Sequence, residues 1–117
     1  MGTGRRLREL SGTVRLVSMQ PSTALHGLEG LRHLETTIVP GIYDASLPDE
    51  QIFVDTEAAQ DMARRLAREE GIFVGVSAGA AVTAALQVAR SLSAGVVVTV
   101  LPDSGRRYIK APFWEAP

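Results

Sequence analysis

The second half of the chain sets short apolar runs and helical repeats in alternation, and this limits the fold more than any other feature. Ile52-Phe53-Val54 reads as a short buried strand. Ala58, Ala59, Met62, Ala63, Leu66 and Ala67 then recur at helical spacing, with Asp61, Arg64, Arg65, Arg68 and Glu69 mostly on the opposite face. Asp55 or Thr56 can cap this helix, Glu57 suits its positive first turn, and Gly71 is its natural stop. Ile72 to Val76 reads as a further strand, and Ser77 opens a small-residue helix reaching about Leu92. Val96 to Leu101 is a nearly continuous apolar strand, ended by Pro102. Such strands belong to parallel sheets covered on both faces. The pattern predicts an α/β fold, an open and mostly parallel sheet flanked by helices.

The first half is less regular. Residues 1–10, rich in Arg and Leu, read as a short helix closed by Ser11-Gly12. Thr13 to Met19 alternates as a strand does, with Pro21 as its stop. Gly27, Gly30, Pro40, Gly41 and Pro48 punctuate residues 22–50, which leave room for one short helix around Leu28 to Thr36. There is no internal repeat and no low-complexity linker, and 117 residues suit one domain. The tail from Ala111 to Pro117 carries Phe113 and the lone Trp114 beside two prolines, and is expected to dock on something.

Composition closes off several classes of function. Hydrophobic residues make up 45% and charged residues 21%, ordinary globular usage that argues against disorder. The net charge is −1, and no basic run exceeds Arg5-Arg6-Leu7-Arg8, so no nucleic-acid partner is expected. With no cysteine, disulfides, thiolate catalysis and cysteine-based zinc sites are excluded. No secretory-type leader and no apolar run of the roughly 18 residues needed to span a bilayer is present. A cytoplasmic location and no membrane partner are expected.

Three segments could carry chemistry. In Gly75-Val76-Ser77-Ala78-Gly79-Ala80-Ala81 a strand ends, a helix begins, and nearly every side chain is small. Free N–H groups at such a helix start offer polar contacts, and ligands of open α/β sheets gather at strand C-termini. By residue type alone Ser77 is also an ordinary N-cap, and the alanines serve tight packing. Pro102-Asp103-Ser104-Gly105-Arg106-Arg107-Tyr108 follows another strand end and could lie beside the Ser77 turn. Asp103 could orient a polar ligand there, although Asp-Ser-Gly is ordinary turn chemistry. His26 and His33, near Gly27-Leu28-Glu29-Gly30-Leu31, lack a fixed carboxylate spacing and read as loop residues, so no metal site is expected. Gly2-Thr3-Gly4 lacks the preceding strand and full glycine pattern of a phosphate loop.

Together these segments resemble the C-terminal part of the cysteine synthases (O-acetylserine sulfhydrylases), pyridoxal-phosphate enzymes that share a fold type with the tryptophan synthase β-chain and cystathionine β-synthase. The matching stretches are Gly27 to Leu31, Ile38-Val39-Pro40-Gly41-Ile42-Tyr43-Asp44, Glu70 to Ala81 and Leu101 to Tyr108, in order over nearly the whole chain. Pro40-Gly41-Ile42-Tyr43-Asp44 looks most like the branch that includes the B-type enzymes. The resemblance implies that residues 1–117 are the C-terminal portion of a two-domain enzyme. That enzyme would make cysteine from O-acetylserine and sulfide by β-replacement.

The resemblance further implies that Ser77 hydrogen-bonds the pyridine nitrogen of the cofactor, that Asp103-Ser104 lies near the same ring edge, and that the Gly27 to Leu31 loop borders the substrate pocket. Where many members carry Ser, this chain has Ala78. A neutral hydroxyl at a positive helix start disfavours an extra proton on the ring, which suits elimination of a β-substituent.

Two parts of the family pattern have no counterpart. The Schiff-base lysine falls in an N-terminal segment, and Lys110, the only lysine here, matches no such position. The Gly/Thr-rich phosphate loop normally precedes the helix that residues 2–10 resemble. No catalytic residue is therefore assigned within the chain. It is expected to be inactive and to bind cofactor weakly or not at all without an N-terminal part, and to form a homo-oligomer acting on a small amino-acid substrate. Two other readings remain open, another β-replacing or β-eliminating enzyme of this fold and a non-catalytic binding module.

Overall fold

The computed structural model describes residues 1–115. The helices are α1 (Gly2–Leu10), α2 (Thr56–Glu69) and α3 (Val76–Arg90), and the strands are β1 (Val17–Pro21) and β2 (Glu50–Val54). β1 and β2 pair in parallel, Met19 opposite Ile52 and Pro21 opposite Val54. The fold is the expected α/β arrangement of parallel sheet and helices.

Two predicted strands differ. Ile72 to Val76 forms no strand; Val74 alone bridges Ser104, antiparallel, and the Gly105 N–H donates to the Phe73 carbonyl at 3.2 Å. Val96 to Leu101 forms no strand either. A strand exists only through a hydrogen-bonded neighbour, and among the described residues this run has none along its length. β1 starts four residues later than its alternation implied and includes Pro21, which the sequence cast as the stop. Pro21 ends the pairing without needing to donate to it, as proline at a strand end can. The short helix expected around Leu28 to Thr36 reduces to one 3-10 turn at Leu34–Thr36.

α1 buries no residue and is held by polar contacts. The Arg8 guanidinium donates to the Val14 carbonyl at 2.7 Å and pairs with Asp49, whose carboxylate also accepts the Leu16 N–H at 2.7 Å. Arg8 and the Leu16 N–H hold the Asp49 carboxyl below its ordinary pKa. One end of α1 is thereby fastened to the entry of both strands.

The core lies where α2 and α3 cross behind β2. Leu28, Ile52, Val54, Ala59, Val76, Ala80, Ala84, Val88 and Tyr108 form it, and Leu28 is fully buried. Removing a side chain such as Leu28 from water is worth about 1.5–3 kcal/mol. At the crossing, a Cβ on Gly79 would overlap the Ala59 carbonyl oxygen, so the two backbones touch directly. Gly71 ends α2 with φ +69°, a conformation that strains other residues, and lets the Ile72 N–H close on the Leu66 carbonyl at 2.9 Å. That reversal delivers the chain to α3.

The expected docking of the tail is internal for the part described. The Trp114 indole donates to the Tyr108 carbonyl at 2.7 Å, and its ring packs against Phe73 and Phe113 at centroid distances of 5.0 and 4.6 Å. Arg64 holds the Phe113 carbonyl at 2.6 Å. Ala116 and Pro117 lie outside the described residues.

Candidate functional site

The α3 start is built from three segments that are distant in sequence. Gly75 is the N-cap, so Ser77 is inside the first turn and is not the cap its residue type suggested. Ser77 is 6% exposed. Its N–H donates to Asp103 Oδ2 at 3.0 Å, the Ala78 N–H donates to Asp103 Oδ1 at 2.8 Å, and the Gly75 N–H donates to the Asp103 carbonyl at 3.2 Å. Three N–H groups at this helix start, those of Gly75, Ser77 and Ala78, are thus satisfied by one residue of the chain. A carboxylate here also offsets the positive end of the helix dipole.

The Ser77 hydroxyl takes a different direction and donates to the Glu29 carbonyl at 2.9 Å. Glu29 belongs to the Gly27 to Leu31 loop, which is tied down at both sides. The Gly27 N–H donates to Thr56 Oγ1 at 2.9 Å, and the Leu28 side chain is sunk in the core. Gly30 has φ +87°, and its Cβ position lies 3.9 Å from Ser77 Oγ. All three segments singled out in the sequence, less its histidines, therefore meet at Ser77.

Tyr108 closes the back of the turn at 9% exposure. Burial raises its phenol pKa above the ordinary value, and the negative charge of Asp103 adds to the effect. A Cβ on Gly75 would overlap both the Tyr108 ring and the Asp103 carboxylate, and one on Gly105 would come within 2.7 Å of the Phe73 ring. An open cleft of about 440 Å³ lies alongside, walled by Glu29, Gln60, Val76, Tyr108 and Phe113.

The other candidates lie apart from chemistry. His26 Nδ1 accepts the Leu28 N–H at 3.2 Å, and His33 Nδ1 shares a hydrogen bond with the Thr36 hydroxyl at 3.0 Å. Among the described residues no cluster of metal-ligating side chains occurs, and no helix is long and apolar enough to cross a membrane. Lys110 is exposed. Glu29, which acts through its main chain, and Tyr108 lie in segments that the sequence singled out, but their individual roles were not read there. Those roles have no signal in the sequence, because burial and a carbonyl direction are properties of the folded chain.

The model of the pyridoxal-phosphate dependent enzyme family matches residues 1–103. The chain is 48% identical over 113 residues to a cysteine synthase of Aquifex aeolicus, covering 93% of this chain and 35% of that protein. It is 40% identical to a cysteine synthase B of Pseudomonas aeruginosa, covering 98% of this chain and 38% of that one. Its fold superimposes on a solved O-ureido-L-serine synthase with a TM-score of 0.87 at 38% identity, over 99% of this chain and 39% of the other. A solved cysteine synthase of Entamoeba histolytica gives a TM-score of 0.89 at 27% identity, over 99% and 37%. The chain thus spans little more than a third of the length of these relatives, and it belongs to the pyridoxal-phosphate dependent enzyme family.

Proposed function

We propose that this chain is the C-terminal portion of a cysteine synthase, contributing one edge of a site that makes cysteine from O-acetylserine and sulfide by β-replacement. One observation carries the reading. With the Ser77 and Ala78 N–H groups taken by Asp103, the buried Ser77 hydroxyl is the side-chain group of the turn that can rotate toward a ligand.

The residues fit the pyridine edge of pyridoxal phosphate. Ser77 offers one neutral hydroxyl, and Gly30 adds no side chain to crowd it. The hydroxyl has a single proton, so donating it to a ring nitrogen requires rotation away from the Glu29 carbonyl. The bound cofactor would supply an electron sink for loss of the β-substituent. Asp103 offsets the helix-start potential, so the neutrality of the hydroxyl, more than the dipole, would keep a second proton off the ring. The cleft bordered by Gly27 and Glu29 would receive the amino-acid substrate. The lysine and the phosphate-binding loop would come from an N-terminal part, in a cytoplasmic homo-oligomer.

The test mixes the purified chain with pyridoxal phosphate, O-acetylserine and sulfide and follows cysteine. No formation above the protein-free rate is expected until the N-terminal portion is added. Cysteine made by the chain alone, lost in Ser77→Ala but kept in Lys110→Ala, would overturn the proposal. A second reading, replacement by a nucleophile other than sulfide, is favoured by 41% identity to an O-ureido-L-serine synthase of Streptomyces lavendulae. Comparing sulfide with other nucleophiles in the reconstituted enzyme separates the two.

A further inference from the structure

The cleft beside the Ser77 turn carries charge of one sign. Glu29 lines it and is exposed, while the Glu29 carbonyl accepts the Ser77 hydroxyl at 2.9 Å. Its backbone cannot drift, because Leu28 is sunk in the core and the Gly27 N–H is bonded to Thr56. Burial does most to raise the Tyr108 phenol pKa and Asp103 adds to it, but the negative charge of Glu29 contributes as well. The carboxylate is thus felt at the wall that Tyr108 forms. The remaining walls are neutral: the Gln60 amide and the apolar side chains of Val76 and Phe113.

Nothing in the cleft balances that charge. Among the described residues Glu29 makes no ion pair. Arg32, three residues on, and Arg107, which pulls the Tyr108 pKa the other way, are exposed and do not line the cleft. The two helix starts nearby have no spare positive potential to offer an anion. Asp103 meets the start of α3, while α2 has Asp55 at its N-cap and Glu57 in its first turn.

We infer that Glu29 selects the nucleophile of the β-replacement by charge, admitting neutral and cationic thiols and excluding anionic ones. This selection deepens the proposed function and rests on its reading that the cleft receives the substrates. In the replacement the thiol sulfur bonds to Cβ of O-acetylserine, and the bond from Cβ to the acetate oxygen breaks. The thiol proton leaves with the acetate as acetic acid. Sulfide meets the requirement as neutral hydrogen sulfide. Sites discriminate by repulsion as well as attraction. Unit charges about 10 Å apart, at an effective dielectric constant of about 20, shift a rate constant roughly tenfold.

The experiment reconstitutes this chain with the part of the Aquifex aeolicus cysteine synthase that lies outside the match, adding pyridoxal phosphate and O-acetylserine. Three thiols of similar size are compared: cysteamine, mercaptoethanol and mercaptoacetate. Each kcat/KM is counted per thiolate and divided by that of mercaptoethanol in the same protein, so that a general loss of activity cancels. The wild type should prefer cysteamine and reject mercaptoacetate. Glu29→Gln should raise the mercaptoacetate ratio about tenfold and lower the cysteamine ratio, Glu29→Lys should reverse the order, and Glu29→Asp should keep it. High salt should narrow the wild-type spread and leave that of Glu29→Gln unchanged. Equal ratios in wild type, Glu29→Gln and Glu29→Lys overturn the inference and leave the proposed function standing. Loss of all activity in Glu29→Asp and Glu29→Gln alike makes the residue structural and overturns it too. No product from the wild type with sulfide or any thiol overturns the proposed function and the inference with it.

Discussion

Asp103 lies 26 residues beyond Ser77, yet its carboxylate accepts the Ser77 and Ala78 N–H groups while its carbonyl accepts that of Gly75. One residue after the exposed valine run therefore organises the first turn of α3. The division of labour is chemical. The carboxylate satisfies the main chain, and the Ser77 hydroxyl is left to face the Glu29 loop.

Asp103→Asn tests that division. An amide has one acceptor oxygen where the carboxylate has two, so one N–H of the turn loses its partner and the charge is gone. Stability should fall by about 1–2 kcal/mol, as when a helix cap is lost. Urea unfolding of the two chains measures it, and an unchanged midpoint would show that the cap is dispensable.

Ser77→Ala leaves the Glu29 carbonyl without its donor. The cost should be about 1–3 kcal/mol, the penalty for an unsatisfied buried polar group. In the enzyme reconstituted with an N-terminal part, the same variant should bind pyridoxal phosphate but change its absorption spectrum and lose turnover more than affinity. Kinetics and spectrum identical to wild type would remove Ser77 from the ring contact.

Gly79→Ala should be the most damaging of the small substitutions. The added methyl would overlap the Ala59 carbonyl at the α2–α3 crossing, and neither backbone can yield without shifting a helix. Overpacking of this kind costs about 1–3 kcal/mol. A lowered thermal midpoint is expected, and full stability would mean that the helices sit further apart than described.

Tyr108 predicts an alkaline limit. Burial, aided by Asp103, raises the phenol pKa above its ordinary value of 10.0. The folded chain then keeps the proton to higher pH than the unfolded chain does. This contribution is complete below the unfolded value and is lost as pH rises through the folded one. Stability should therefore decline above about pH 10, and Tyr108→Phe should flatten that decline. A steep alkaline loss that persists in the variant would assign it to other groups.

Much of this was written locally in the sequence. The 3.6-residue repeat of Ala59, Ala63 and Leu66, the stop at Gly71 and the small residues from Gly75 to Ala81 set α2, its end and the start of α3, because each depends on neighbours within a turn or two. The same local pattern put Ser77 at the start of α3. The tertiary structure decided what depends on partners far away. Asp103, an ordinary turn residue by type, became the α3 cap because Val74 bridges Ser104 and brings it there. The Ser77 hydroxyl went to Glu29 because Leu28 is buried beneath that loop. Val96 to Leu101 has the composition of a buried strand but forms none among the described residues, since apolar side chains set only a preference and a strand requires backbone hydrogen bonds from a neighbour.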